Sequence, residues 1–466
     1  MSENAKELKE KLFYKKQNGI DFMSEEELNA CDEFCEGYKK FLFENKTERE
    51  FAQSALEAAK ANGFKEFDKF GEPLKAGDKV YYFNRGKAII LCVKGTRPVM
   101  DGVRISAAHI DSPRLDLKQV PVYEDGSLGF FKTHYYGGIK KYQWTAIPLS
   151  LHGRICKNNG SFVDVKIGED AGDPKFCITD ILPHLGAEQM ARKANEIVKG
   201  EELNVVIGSR PFKDDSESER IKLNILNILF EKYGIVERDF LSAELELVPA
   251  FTVDDIGFDR SLIGGYGHDD RVCSYPAMQA IFDIDTAPEY TAVTVLTDKE
   301  ETGSDGNTGL NSSYLKYFIE DLARLEGCEG RDVLSNSKCL SADVNAAFDP
   351  TWPSQFEKNN ASIINEGVCV TKFTGSRGKS GTSDASAEFV SFVKALMENN
   401  GVLWQSGELG KVDAGGGGTV AMYIANLDVD VIDVGVPVLS MHSPYEIVSK
   451  IDTYMAYKAF KVFFTK

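Results

Sequence analysis

Tyr290-Thr-Ala-Val-Thr-Val-Leu-Thr-Asp-Lys-Glu-Glu-Thr-Gly-Ser304 joins an uncharged, β-branched run directly to a charged segment. The first eight residues are typical of a buried β-strand. Glu300 and Glu301 therefore lie at the mouth of that strand, where desolvating an unpaired carboxylate is costly. A bound cation is the strongest compensating partner, so one glutamate can hold a metal while its neighbour handles protons. The alternative is a solvated loop just beyond a strand.

Apolar strands alternate with helical patterns on both sides of this stretch, which predicts an α/β fold with a mixed, mostly parallel sheet flanked by helices. A β-rich segment with frequent turns interrupts the alternation. We therefore predict a discontinuous α/β domain over residues 1–111 and 254–466, and an inserted β-rich domain over residues 112–253. Two local expectations are one long amphipathic helical segment reaching about Asn62 and a single strand over Val429–Leu439.

Composition excludes several classes of partner. The net charge of −18 repels phosphate backbones, so we expect no nucleic-acid partner. No apolar run approaches membrane-spanning length, so we expect no membrane association. The nine cysteines are an odd number without metal-type spacing, which indicates a reducing compartment, and the charged N-terminus differs from a signal peptide. We predict a soluble cytoplasmic protein.

Four further segments share the arrangement around Glu300 and Glu301, because each places an acidic residue or a histidine where an apolar strand ends or a helix begins. They contain His109 with Asp111, Asp269, Asp343 and His442. Taken singly, each has an ordinary structural explanation such as a helix cap or a buried histidine. Strand ends in a parallel sheet carry the functional residues, so together they predict a common site.

The predicted ligands are imidazoles and carboxylates without cysteine, a set that suits zinc, manganese or cobalt. An imidazole can bind a metal through one nitrogen while a carboxylate orients the other, as the spacing of His109 and Asp111 allows. Two metals bridged by a carboxylate form a hydrolytic centre. The residues alone do not decide between one metal and two.

At these residues the chain resembles the aspartyl aminopeptidase family of zinc exopeptidases, which includes vacuolar aminopeptidase I. Five motifs occur in the family's order, and the resemblance extends from about residue 80 to the C-terminus. They are Ala108-His-Ile-Asp-Ser-Pro113, His268-Asp-Asp-Arg271, Asp298-Lys-Glu-Glu-Thr-Gly-Ser304, Ser341-Ala-Asp-Val344 and Met441-His-Ser-Pro444.

The resemblance implies a dinuclear zinc metallo-aminopeptidase that hydrolyses the N-terminal residue from peptides with a free N-terminus. It implies two Zn²⁺ ions per subunit, replaceable by Mn²⁺ or Co²⁺. Asp269 would bridge the metals, His109 and Asp343 would complete one site, and Glu301 and His442 the other. Glu300 would be the general base for a metal-bridging water, and Asp111 would orient His109.

Two further expectations come from the resemblance. His184, in Leu182-Pro-His-Leu185, is similar to a histidine of the insertion that enters a neighbouring subunit's active site and stabilises the oxyanion there. The insertion would serve in dimerisation, within a homo-oligomeric dodecamer built from dimers. A local cap or core role for His184 is the alternative.

Similar enzymes also hold the peptide bond between Asp269 and Asp270 in cis.

The chain departs from the family after Asp343, where Ala346 and Asp349 stand in place of two histidines. The preference for an acidic N-terminal residue is therefore open. Arg377 or Lys379 can meet an acidic side chain, or both can be solvated loop cations. A related peptidase of other specificity, such as a glutamyl aminopeptidase or a dipeptidase, remains an alternative, and an inactive assembly scaffold is a remote one.

Overall fold

The computed structural model describes residues 4–466. Its N-terminal part begins with helices, and the two longest of them start at capping boxes, Ser24 with Glu27 and Thr47 with Glu50. The expected single helical segment is therefore divided, because Thr47 caps a new helix after the break at Asn45. The elements are helices α1 Ala5–Leu12, α2 Gly19–Phe22, α3 Glu25–Glu44 and α4 Glu48–Ala61, and strands β1 Lys65–Glu66, β2 Lys79–Asn84, β3 Ala88–Val93 and β4 Val103–His109.

The middle of the chain forms a sheet of its own. Its seven strands pair antiparallel throughout, in the order β8-β7-β11-β5-β6-β10-β9. The elements are β5 Arg114–Asp125, β6 Leu128–Tyr136, β7 Leu149–Cys156, β8 Phe162–Ile167, β9 Cys177–Ile178, α5 Ala187–Met190, β10 Asn204–Gly208, α6 Arg220–Tyr233 and β11 Ala243–Pro249. Leu115, Phe131, Trp144 and Leu247 belong to a hydrophobic core that these residues build apart from the rest. The insertion over residues 112–253 stays a prediction.

After this sheet the chain returns to alternating strands and helices. The expected strand over Val429–Leu439 is divided at Val436 between two sheets. The elements are β12 Asp254–Ile256, β13 Leu262–Gly265, α7 His268–Phe282, β14 Thr291–Thr297, α8 Tyr314–Leu325, α9 Gly330–Ser335, β15 Lys338–Ser341, β16 Asn345–Ala346, β17 Val368–Thr371, β18 Gly375–Ser376, α10 Ala387–Asn399, β19 Trp404–Ser406, β20 Gly416–Gly417, α11 Ala421–Ala425, β21 Asp430–Gly435, β22 Pro437–Leu439, β23 Glu446–Ser449 and α12 Lys450–Thr465.

A nine-stranded sheet, in the order β1-β2-β3-β14-β4-β15-β21-β17-β19, positions the predicted site. Strands β14, β4, β15 and β21 run parallel at its centre, while β3 and β17 pair antiparallel on either side. Thr297 pairs with His109, and Ser341 pairs with Ala107. The carboxyl ends of β14, β4 and β15 therefore meet at one edge, as the sequence pattern predicted.

Helices cover both faces of this sheet. The first face packs against α3, α4, α7, α10 and α12, and the second against α8, α9 and α11. The side chains of strand β3 alternate between the two faces. Ile89 and Leu91 belong to the hydrophobic core on the first face, and Ile90 and Cys92 belong to the core on the second. A strand buried on both faces is typical of α/β architecture. The predicted fold class, a mixed α/β fold with mostly parallel central strands, is confirmed.

A smaller sheet has five strands, in the order β12-β13-β23-β22-β16. Its strand β13 precedes Asp269, and its strands β22 and β23 flank His442. Strand β23 pairs antiparallel with β13, and Glu446 lies opposite Gly265. Four residues after Gly265 the chain reaches Asp269. Among residues 4–466, no helix is long and apolar enough to cross a membrane.

Candidate metal centre

His109 ends strand β4 and is buried at the edge of the sheet. Its Nδ1 lies 3.0 Å from the backbone oxygen of Asp111 and 3.4 Å from Asp111 Oδ1. Its Nε2 lies 3.2 Å from Asp269 Oδ1. Burial lowers the pKa of His109, but hydrogen bonds to Asp111 and Asp269 outweigh burial and hold that pKa well above its usual value. Because Nδ1 faces acceptors, Nε2 is the nitrogen directed into the site.

The Asp111 side chain is buried and fixes the segment that carries the two glutamates. Its Oδ1 accepts the backbone N–H of Glu300 at 3.1 Å, and its Oδ2 accepts the backbone N–H of Glu301 at 3.2 Å. The Tyr136 hydroxyl, from the insertion, donates to Oδ2 at 2.7 Å. The geometry thus gives Asp111 a second task beside the predicted one of orienting His109.

Asp269 lies between two histidines. Strand β13 leads to Gly267, whose positive φ of 79° turns the chain into helix α7. Asp269 Oδ1 faces His109 Nε2, and Asp269 Oδ2 lies 3.1 Å from His442 Nε2. The Asp269–Asp270 peptide bond is cis, as the resemblance implied. Burial raises the pKa of Asp269, but hydrogen bonds to both histidines lower it below its usual range.

Glu300 and Glu301 begin a short 3₁₀ turn after strand β14, which Lys299 enters with a positive φ of 72°. Glu300 Oε2 lies 3.9 Å from His109 Nε2, and Glu301 Oε2 lies 3.6 Å from His442 Nε2. Burial raises the pKa of Glu300 to about 7, and Asp111 contributes to the rise. Burial and the facing carboxylate of Asp269 raise the pKa of Glu301 well above its usual value.

Asp343 follows strand β15 and lines the same cavity as Glu300 and Glu301. Burial and the nearby Glu300 raise the pKa of the Asp343 carboxyl well above its usual value. His442 reaches the cavity from the loop between β22 and β23, with a positive φ of 63°. Its Nδ1 lies 2.9 Å from the backbone oxygen of Gly138, in the insertion. Four of the five predicted ligands and Glu300 therefore line one cavity, and the fifth, His109, is buried beside it in contact with Asp269.

The donor set fits zinc. Ligand atoms of His109, Asp269 and Glu301 lie within 4.8 Å of one another. Glu301 Oε1 is buried without a hydrogen-bond partner, which is costly unless a cation or water satisfies it. Imidazole nitrogens and carboxylate oxygens are zinc's ligands in catalytic sites.

The cavity has a volume of about 430 Å³. Among the described residues that line it, none is a lysine or an arginine. The apolar part of the lining comes from Val344, Leu409, Met422, Tyr423 and Met441. The cavity is therefore acidic at the sheet edge and apolar beside it.

The two loop cations considered from the sequence lie outside that lining. The Lys379 ammonium pairs with Asp384 at 2.7 Å and lies 3.8 Å from the centre of the Phe373 ring. Arg377 is exposed beside a smaller pocket. Asp349 caps its own turn by accepting the backbone N–H of Thr351 at 2.8 Å, and it does not line the cavity either.

His184 lies in an exposed turn, away from the cavity of its own chain. Leu182 and Leu185 beside it are 48% and 70% exposed, which is unusual for leucines. The structure of one chain therefore does not bring His184 to the residues of the cavity. Its role in a neighbouring subunit stays a prediction.

Sequence reasoning missed three groups at the site. Glu446 accepts backbone N–H groups of Asp269 and His442, Tyr136 binds Asp111, and Gly138 offers its carbonyl to His442. Only Glu446 carried a signal, as a carboxylate that ends the segment beginning at Met441. The other two lie in the insertion, and nothing in their local sequence shows that the fold returns them to the sheet edge.

Comparison with known proteins gives a consistent result. The family model described as aminopeptidase I zinc metalloprotease (M18) matches residues 41–464. A relative from Clostridium acetobutylicum, named a probable M18 family aminopeptidase 1, is 46% identical over 454 residues, which cover 96% of this chain and 97% of the relative.

Solved structures agree in fold. The crystal structure of an M18 family aminopeptidase from Thermotoga maritima is similar with a TM-score of 0.93 and 41% identity, covering 97% of this chain and all of the other. The mApe1 dodecamer of S. cerevisiae is similar with a TM-score of 0.76 and 21% identity, covering 94% of this chain and 97% of the other. The similarity to the S. cerevisiae structure, at 21% identity, concerns the fold alone.

Proposed function

Because the chain belongs to the aminopeptidase I zinc metalloprotease family (M18), and is thus a zinc metallo-aminopeptidase, we propose which residues perform the reaction. Asp269, together with His109 and Asp343 on one side and Glu301 and His442 on the other, would hold two zinc ions. The observation that carries this assignment is that the two oxygens of Asp269 face two different histidines, at 3.2 and 3.1 Å.

When bound, zinc supplies Lewis acidity that polarises the scissile carbonyl and makes water a stronger nucleophile. Glu300 is the general base in this proposal. Its carboxylate projects into the cavity without being a proposed ligand, and its pKa of about 7 suits a group that accepts and returns a proton near neutral pH. Glu300 takes the proton of the attacking water and passes it to the leaving amine.

The carboxylates also select the end of the peptide. The free α-amine of a substrate is a cation, and the cavity offers it Asp343 and Glu300 and, among the described residues that line it, no competing lysine or arginine. A blocked amine loses that attraction. This charge arrangement supports exopeptidase action on peptides with a free N-terminus.

Anomalous diffraction at the zinc edge from crystals of the full chain tests the ligand assignment. We expect two peaks per subunit, one beside His109 and Asp343 and one beside Glu301 and His442. Crystals of Glu301→Ala should keep the first peak and lose the second. A single peak in the unaltered protein, or a second peak that survives Glu301→Ala, would contradict the assignment. Soaking with Mn²⁺ or Co²⁺ tests replacement of zinc at the same positions.

We propose that the preferred N-terminal side chain is neutral. The apolar lining of Val344, Met422 and Met441 suits a hydrocarbon side chain, and no cation of the lining is placed to pair with a carboxylate. Hydrolysis of leucyl and aspartyl p-nitroanilides distinguishes a preference for a neutral side chain from a preference for an acidic one. We expect kcat/KM to favour the leucyl substrate by about tenfold or more, and a preference for the aspartyl substrate would refute a neutral pocket and favour a glutamyl-type enzyme.

We propose that residues 112–253 form an insertion domain that joins subunits into a dodecamer built from dimers. Its separate core and the exposed apolar side chains of Leu185, Met190 and Phe230 support an assembly role. The dodecamer named for the yeast relative agrees with this proposal. Mass measurement by light scattering tests it: a mass of twelve subunits is expected, and a monomer would contradict it.

We also propose a cytoplasmic location. All nine cysteines are free, including the exposed Cys156, as expected in a reducing compartment. Fractionation of the native cells tests this placement, since a secreted or periplasmic pool would exclude it.

A further inference from the structure

Glu446 is a buried carboxylate whose two oxygens hold two different segments of the site. Its Oε1 accepts the backbone N–H of His442 at 2.6 Å, and its Oε2 accepts the backbone N–H of Asp269 at 3.1 Å. The residue is 1% exposed. A buried carboxyl group that accepts two backbone amides ties both segments to one point, because leaving either buried N–H without an acceptor is costly.

The two amides belong to segments that are far apart in the sequence. Strand β23 places Glu446 opposite Gly265, next to the turn that leads to Asp269. The loop before β23 then folds back so that the amide of His442 reaches the same carboxylate. His442 has a positive φ, a conformation that costs free energy for a residue with a side chain. The hydrogen bond to Glu446 offsets that cost and fixes the position of the His442 backbone, from which the imidazole extends.

We infer that Glu446 is a positioning residue that sets the spacing between Asp269 and His442, and thereby the zinc affinity of the position completed by Glu301 and His442. The inference rests on the proposed ligand assignment. The side chains of Asp269 and His442 face one another at 3.1 Å, so a shift of either backbone changes the distance that a shared ion must span. His109 has no contact with Glu446, and its zinc position keeps its own support from Asp111.

The chain contains a matched control at a distance from the cavity. Asp452, in the first turn of α12, is equally buried, and its two oxygens accept the backbone N–H groups of Asn365 and Gly367, both at 2.8 Å. Asp452 therefore makes the same kind of double contact without touching a proposed ligand. Replacing either carboxylate by its amide leaves one backbone N–H without an acceptor, and the loss of stability should be similar.

The experiment measures zinc affinity in the holoenzyme with Glu446→Gln and Asp452→Asn. Zinc-loaded protein is dialysed against buffers of graded free zinc, and the metal retained per subunit is determined by mass spectrometry. We expect Glu446→Gln to weaken one of the two zinc positions by about 10–100-fold and the other, which shares Asp269, by clearly less. Asp452→Asn should leave both unchanged. The activity of Glu446→Gln should return at high free zinc, whereas that of Asp452→Asn should not depend on added zinc.

Three results would overturn the inference. They are unchanged affinity at both positions in Glu446→Gln, an equal loss at both, and the same loss in Asp452→Asn. If Glu446→Gln does not fold, Glu446→Asp keeps the charge on a shorter side chain and should show the same selective weakening to a smaller degree; equal or absent weakening in it also overturns the inference. Failure of the ligand assignment itself is distinguishable, because the unaltered enzyme would then hold fewer than two zinc ions.

Discussion

Two regions of the molecule bury carboxylates, and they balance the charge in different ways. Around Arg114, which we call the arginine cluster, the carboxylates of Glu48, Glu244 and Glu246 meet Arg114 and Lys87. At the sheet edge, which we call the metal cluster, the carboxylates of Asp269, Glu300 and Glu301 meet the imidazoles of His109 and His442. Asp343 lines the same cavity, and no lysine or arginine is among the described residues of that lining.

The pKa values of two buried glutamates show the consequence. Burial raises the pKa of both Glu48 and Glu300, but Arg114 and Lys87 bring the pKa of Glu48 down to about 2, whereas that of Glu300 stays at about 7. Even in the arginine cluster one carboxyl, Glu246, keeps a raised pKa because burial exceeds the attraction of Arg114. Cationic side chains of the chain itself offset the carboxylate charge of the arginine cluster, whereas the carboxylate charge of the metal cluster requires a bound cation.

The largest expected effect is that of Glu300→Gln. A proton acceptor is removed while volume and polarity are kept, so kcat should fall about 10²–10⁴-fold, with zinc content and KM near their original values. Steady-state kinetics with leucyl p-nitroanilide and metal analysis check both. Glu388→Gln, on the exposed side of α10, is the control and should leave kcat unchanged. Near-native kcat in Glu300→Gln would exclude Glu300 as the base.

Arg114→Met should affect stability instead of chemistry. Removing Arg114 leaves Glu246 without its cation and Glu48 with Lys87 alone, and breaking a buried ion pair costs about 3–5 kcal/mol in the free energy of unfolding. Urea unfolding of the zinc-loaded protein measures the loss, and the zinc content of the folded fraction should stay the same. Arg97→Met, which removes an exposed pair with Glu289, is the control. A loss of zinc without a loss of stability would mean that the two clusters are not separate.

Removing zinc should make stability depend on pH in a direction set by the metal cluster. The pKa of Glu300 rises from 4.5 to about 7 on folding, so its contribution is fully present below pH 4.5 and is lost as pH rises through 7. The charge of bound zinc stabilises the ionised carboxylate where its proton is lost, and zinc at 100 times its Kd adds about 2.7 kcal/mol. The melting temperatures of chelated and zinc-loaded protein should therefore differ more at pH 8 than at pH 5. An equal difference at both pH values would contradict the charge argument.

His184→Ala tests whether the metal cluster also lacks an oxyanion donor within its own chain. Loss of one such donor costs about 10²-fold in kcat. Co-expression of His184→Ala with Glu300→Gln subunits should restore part of the activity, because mixed oligomers contain sites that combine an intact Glu300 with an intact His184 from a neighbour. His134→Ala, another exposed histidine of the insertion, is the control. Absence of recovery in mixed oligomers would place His184 outside the neighbouring site.

The smallest effect is expected for Arg377→Ala. This exposed side chain lies outside the cavity lining, and surface substitutions usually cost less than about 0.5 kcal/mol. The kcat/KM for both leucyl and aspartyl p-nitroanilides should therefore change less than about twofold. A selective loss with the aspartyl substrate would mean that the loop closes over the cavity and that Arg377 meets an acidic side chain.

The sequence was sufficient for the features that follow from strand alternation. His109, Glu300, Glu301 and Asp343 follow strands that are recognisable one by one, and parallel strands end at the same edge. The break at Asn45 was missed because the propensities of α3 and α4 favour helix throughout, while Thr47 acts through its side-chain cap. Arg114 was missed because its partners Glu48 and Glu246 come from α4 and β11, and only tertiary folding brings them together.

The order of the site residues along the chain has a consequence for how the protein folds. His109 and His442 are far apart in sequence, and strands β14, β4 and β15 become neighbours only after long loops have closed. Closing such loops costs entropy before any contact rewards it, so non-local parallel pairing is slow. A partly formed chain cannot gather these ligands, and zinc retention during refolding thus marks the last stage, when the distant segments have met.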